Sequence, residues 1–139
     1  MNTSQKFFHQ LLMLYRPFEN KLNFHLAEHQ LHRAQWSIFY YLFNYGSATL
    51  VELSHYLYVE KPTVTRTMTR LEELGYVEHV PSHDKREKRT QLTELGRKVY
   101  AEVRVTIDQF ETDILKGVSE REQLEAIRIM SEIRNNIIK

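Results

Sequence analysis

A chain with four glycines and three prolines among 139 residues has few places where a helix is forced to stop. Its apolar residues agree with that. Phe7, Leu11, Leu14 and Tyr15, then Phe18, Leu22 and Leu26, recur at spacings that keep one helix face apolar. They predict helix over about residues 4–29, kinked or divided at Pro17, where one backbone hydrogen bond is lost. "AQWSIFYYLFNYG" predicts a second helix, with Trp36, Phe39, Tyr40 and Phe43 on one side and Gly46 as its stop. "SATLVELSHYLYV" holds a third, opened by a capping box of Thr49 and Glu52, with Leu50, Leu53 and Leu57 facing inward.

"KPTVTRTMTRLEELG" predicts a fourth helix, begun near Pro62 and ended by Gly75. Val64, Met68 and Leu71 share its apolar face. The other face carries Pro62, Thr65, Arg66 and Thr69, flanked by Thr63 and Arg70. An ordinary solvated face is rich in Glu, Lys and Gln, which favour helix, whereas threonine does not. "YVEHV" alternates as a strand, and residues 89–92 alternate weakly. Between them lies a charged ribbon, so a hairpin with a long tip is expected. Thr93 then caps a long helix with Leu95, Val99, Val103, Ile107, Phe110 and Ile114 as apolar positions. Ser119 and Glu122 form another capping box before a last helix carrying Leu124, Ile127, Met130, Ile133 and Ile137.

The expected fold is mainly α with a small β-hairpin wing. Residues 1–139 read as one domain, a winged helix-turn-helix lobe over 31–98 flanked by helices in 1–30 and 99–139. The flanking helices would leave apolar faces bare in a monomer, so a helical homodimer interface is expected. Cysteine is absent, which excludes disulfides, thiolate metal sites and thiol switches. No apolar run approaches the roughly 18 residues of a membrane helix, and "MNTSQKFFHQ" lacks a secretory pattern, so the chain reads as cytoplasmic without membrane contact. There is neither a glycine-rich phosphate loop nor a nucleophile elbow, so neither catalysis nor a cofactor is expected.

One pattern favours an alternative. His25, Glu28 and His29 fit H-x-x-E-H, the inverted zinc-peptidase spacing, in which two histidines one turn apart supply two metal ligands. His32 continues that face. A peptidase or a metal-responsive protein would use it. A third ligand and a substrate cleft have no claimant, and the plainer reading is a polar helix end, with His32 capping the next helix. No metal site is expected.

The net charge of +1 says little, but its distribution says more. Lys61, Arg66 and Arg70 are the only charges from 61 to 71, and Lys85, Arg86, Lys88 and Arg89 outnumber Asp84 and Glu87. Positive charge thus gathers mid-chain, where a polyanion is met. Arginine pairs with guanine through two parallel hydrogen bonds, threonine offers thymine a hydroxyl and a methyl, and a basic hairpin tip reaches the minor groove. Helix-turn-helix followed by basic hairpin therefore points to double-stranded DNA. His55 and His83 are further phosphate candidates.

From Leu31 to Gly96 the chain resembles the MarR (multiple antibiotic resistance regulator) family of winged-helix transcription factors. The resemblance rests on "LHRAQWSIFYYL", "TLVELSHYLYVEKPTVTRTMTRLEELGYVEHV" and "DKREKRTQLTELG". The last fits the family's wing signature at Asp84, Arg86, Leu92, Thr93 and Gly96. It implies that Arg86 is the minor-groove arginine and that Asp84 orients it by an ion pair and shapes the tip. It also implies that Lys88 and Arg89 support phosphate contacts, and that Thr63, Thr65, Arg66, Thr69 and Arg70 face the major groove. First and last helices would build the dimer. A small aromatic or lipophilic effector would sit between dimer helices and DNA-binding lobe. Tyr15, Trp36, Phe39, Tyr40 and Tyr56 are candidates for its walls, with core packing as their alternative use. Two positions depart from the pattern. Glu60 replaces the usual small polar residue before the recognition helix, and Pro17 lies in the first helix.

Overall fold

The structure is a computed structural model that describes residues 1–81, 84 and 86–138. Its elements follow the expected order: α1 (Thr3–Ala27), α2 (Arg33–Tyr45), α3 (Leu50–Leu57), α4 (Lys61–Glu73), β1 (Val77–His79), β2 (Thr90–Leu92), α5 (Glu94–Ile114) and α6 (Glu120–Ile137). Contacts gather into two compact units, Met1–Ile107 and Asp108–Lys139.

α1 is a single helix with Pro17 inside it, not two helices. Every residue from Met1 to Pro17 is exposed, so water reaches the carbonyl that proline leaves without its helical partner. Lower down, Leu22 and Leu26 are buried. The α1–α2 corner is held by Asn23, whose Oδ1 accepts from the Arg33 amide at 2.9 Å, and by the Glu19–Arg33 ion pair at 2.8 Å. His32 is the N-cap of α2, and its amide donates to Gln35 Oε1. That bond accounts for a glutamine that is only 3% exposed.

Trp36, Ile38, Phe39 and Leu42 of α2 meet Leu53 of α3 and Val64, Met68 and Leu71 of α4 among the buried residues of the lobe. Burying each such side chain contributes about 1.5–3 kcal/mol before the cost of ordering. The capping boxes expected at Thr49–Glu52 and Ser119–Glu122 are both formed. Gly46 and Gly75 take the positive φ values, 89° and 80°, that end α2 and α4.

α5 buries Val103, Ile107 and Phe110 as its apolar spacing predicts, and departs from that pattern at its two ends. Gly96 and Tyr100 are also buried, while Leu95 and Ile114 are about half exposed. A methyl group at Gly96 would collide with the Tyr76 carbonyl oxygen, so only glycine lets α5 lie this close to the chain entering β1. Thr93 completes the junction: its Oγ1 donates to the Gly75 carbonyl and accepts from the Gly96 amide, capping α5. Tyr100 then stacks on Trp36 with centroids 4.9 Å apart and on Phe43 at 4.3 Å.

β1 and β2 pair antiparallel, Val77 with Leu92 and His79 with Thr90. A one-residue bridge adds a third chain to this hairpin. Ala48 and Thr90 exchange both amide–carbonyl bonds at 2.9 Å, tying the wing's return strand to the segment before α3.

Candidate nucleic-acid interface

Two threonine hydroxyls of α4 bond back to carbonyls one turn earlier. Thr67 Oγ1 donates to the Thr63 carbonyl at 3.1 Å, and Thr69 Oγ1 to the Thr65 carbonyl at 2.9 Å. Each hydroxyl oxygen keeps its lone pairs, and each methyl remains in place. Pro62, Thr65, Arg66, Thr69 and Arg70 are exposed and Thr63 is half-buried, so the expected outward face is present as a surface. Arg66 Nη2 lies 3.5 Å from Thr63 Oγ1, and Arg70 pairs with Glu73 at 3.2 Å. Both arginines are therefore held only loosely. Glu60 is the N-cap of α4 but makes no side-chain capping bond.

Asp84 was expected to pair with the Arg86 side chain. Its Oδ1 instead accepts from the Arg86 backbone amide at 2.9 Å, and its carbonyl accepts from the Glu87 amide at 3.2 Å. The carboxylate thus folds the backbone under Arg86, as aspartate does in a tight turn. Among the described residues the Arg86 guanidinium has no ion-pair partner, and it is exposed, as is Lys88. His83 and Lys85 lie outside the described residues, and His55 is exposed on α3.

Arg89 does not face outward with them. Nη1 donates to Glu52 Oε1 at 2.9 Å and to Glu87 Oε1 at 2.8 Å. Nη2 donates to Glu52 Oε2 at 3.1 Å and to the Ser47 carbonyl at 2.8 Å. Nε donates to Ser47 Oγ at 3.1 Å. The Arg89 guanidinium, chiefly through those hydrogen bonds, holds the Glu52 carboxyl below the usual carboxylate range; partial burial opposes it. Sequence reasoning left Glu87 without a role and offered Arg89 to phosphate. The residue that joins them, the acid at the third position of α3, serves both the capping box and Arg89.

The five aromatic effector candidates separate. Trp36 and Phe39 are 6% and 0% exposed and belong to the core, with Arg104 lying over Trp36 at 5.5 Å. Tyr15, Tyr40 and Tyr56 keep accessible rings. Tyr56 packs edge-on against Tyr41 and Tyr45, and desolvation followed by the Tyr45 hydrogen bond pushes its phenol up to about 12. None of the five lines the cleft of about 390 Å3 between α2 and the start of α4, where Arg33, Ser37, Tyr58, Val59, Thr63 and Thr67 meet.

His25, Glu28 and His29 are not drawn into a metal cage. His29 Nε2 lies 2.9 Å from Thr106 Oγ1, and no group of three metal-ligating side chains occurs among the described residues.

A model of the MarR family matches residues 31–88. YwoH, an uncharacterised helix-turn-helix transcriptional regulator of Bacillus subtilis, is 42% identical over 107 residues, covering 77% of this chain and 78% of that one. The structure of a Staphylococcus aureus MarR in complex with salicylate and kanamycin superposes with a TM-score of 0.84 at 28% identity, over 97% of this chain and 92% of that one. A mutant E. coli MarR in complex with operator DNA shares the fold, with a TM-score of 0.78 at 23% identity over 90% and 91% of the two chains. The chain belongs to the MarR family of winged-helix transcriptional regulators, which bind DNA and are not enzymes.

Proposed function

We propose that the protein is a homodimeric repressor that binds a pseudo-palindromic operator in the cytoplasm and leaves it when a small aromatic or lipophilic effector binds. The observation that carries the reading is the joint exposure of the α4 face and the Arg86 tip. Arg66 and Arg70 would contact guanine edges or phosphates, and Thr63, Thr65 and Thr69 would meet bases through hydroxyl or methyl, with Pro62 at the helix entry. Arg86 would enter the minor groove, and Lys88 would neutralise a phosphate.

The dimer is supported by bare apolar surface. Phe7, Phe8, Leu11, Leu12 and Leu14 are 44–66% exposed on α1. On α6, Leu124, Ile127, Met130 and Ile137 are 56–70% exposed. Monomeric proteins rarely leave that much apolar surface to water. The effector is supported by the salicylate and kanamycin bound to the S. aureus relative, and Tyr15, Tyr40 and Tyr56 are the accessible candidates for its walls. No helix among the described residues is long and apolar enough to cross a membrane.

Selection of bound fragments from genomic DNA tests the reading. Enrichment is expected for inverted repeats whose half-sites lie about one helical turn apart, with retention falling steeply as salt rises because counterions are released. Absence of any salt-sensitive enrichment would overturn it.

A further inference from the structure

We infer that Arg89 is a positioning residue that fixes the wing to α3, rather than a phosphate contact. The inference rests on the DNA-binding reading of α4 and the Arg86 tip.

A guanidinium carries five N–H donors and no acceptor. Around Arg89 five acceptors are met: both carboxylate oxygens of Glu52, one of Glu87, and the carbonyl and hydroxyl of Ser47. To reach a phosphate it would have to abandon several of these together. The charge count points the same way. Two carboxylates surround one guanidinium, so this corner offers no net positive charge to a polyanion.

The partners also say what is being joined. Ser47 precedes α3, Glu52 lies in its first turn, and Glu87 lies between the Arg86 tip and β2. Next to Arg89, Thr90 pairs with Ala48 through two backbone hydrogen bonds. Side chain and backbone therefore lock the return strand of the wing onto the segment that opens α3. α3 packs on α4, so the lock sets where Arg86 stands relative to the recognition helix. Arginine suits the task because its planar fork meets both oxygens of one carboxylate.

Glu52→Gln isolates this lock. Glutamine still serves a capping box, so α3 keeps its cap while the ion pair is lost. Three full-length proteins, wild type, Glu52→Gln and Arg89→Lys, would be titrated against a DNA fragment selected by the wild type. Amide hydrogen exchange would be followed at Ala48 and Thr90. A lock predicts faster exchange at both amides, and DNA affinity lowered about tenfold in each variant, the scale of losing one ion-paired hydrogen bond. A direct phosphate contact predicts the reverse for Glu52→Gln, because an acid is removed and the arginine freed, so equal or tighter binding in that variant would overturn the inference. Unchanged exchange at Ala48 and Thr90 would overturn it equally. If the wild type binds no DNA, the DNA-binding reading fails by itself, and the exchange measurement still decides whether the lock exists.

Discussion

Arg86 and Arg89 are three residues apart in one charged ribbon, and the structure treats them in opposite ways. At the tip, Arg86 has its backbone fixed by Asp84 and its guanidinium left to solvent. At the base, Arg89 has every donor turned toward Glu52, Glu87 or Ser47. Residue type and local charge are the same. What differs is the distribution of acids: Asp84 bonds the backbone and leaves its neighbour's charge unspent, whereas Glu52 and Glu87 bond the side chain and consume it. In this hairpin a rigid base and an available tip require different uses of the same pair of charges.

The largest expected effect on that contrast comes from a residue with no charge. Gly96→Ala puts a methyl against the Tyr76 carbonyl, beneath the entry to β1. Overpacking of this kind costs about 1–3 kcal/mol. A drop in Tm is expected, with faster amide exchange at Thr93, whose N–H bonds the same carbonyl. A Tm equal to wild type would mean that α5 can shift without loss, and that the base is less rigid than described.

A smaller effect separates base from tip by pH. The folded Glu52 carboxyl lies below its ordinary value, chiefly because of Arg89, so its stabilisation is fully present above the usual carboxylate value of about 4.3. It is lost as pH falls through the lowered folded value, since arginine stays charged there. The Tm gap between wild type and Glu52→Gln should therefore be present at neutral pH and close in acid. A gap that is independent of pH would mean that the ion pair adds nothing to the base.

Much of this was legible in sequence where the rule is local. Capping boxes at Thr49 and Ser119, stops at Gly46 and Gly75, and the Val64, Met68 and Leu71 face of α4 depend on neighbours within one or two turns. What escaped depends on residues far apart in the chain. Periodicity alone placed Val99 inward. In the first turns of α5, Gly96 packs against the Tyr76 carbonyl and Tyr100 is buried, while Val99 is half-buried. The Ala48–Thr90 bridge is one residue long and leaves no alternating pattern to read. Arg89 looked like a phosphate contact because its partners at 47 and 52 lie some forty residues earlier. Pro17 leaves a kinked helix and two helices equally open in sequence, and the structure shows one helix, exposed where the bond is lost.

The central claim is that the tip, not the base, delivers charge to DNA. Its most direct test is the salt dependence of DNA affinity, measured by fluorescence anisotropy for wild type and Arg86→Ala on a wild-type-selected duplex. The account predicts about ten- to a hundredfold weaker binding for Arg86→Ala at low salt, the loss of a base-contacting arginine. It also predicts a log–log salt slope shallower by at most about one, with Tm unchanged. Affinity and slope both equal to wild type would contradict it.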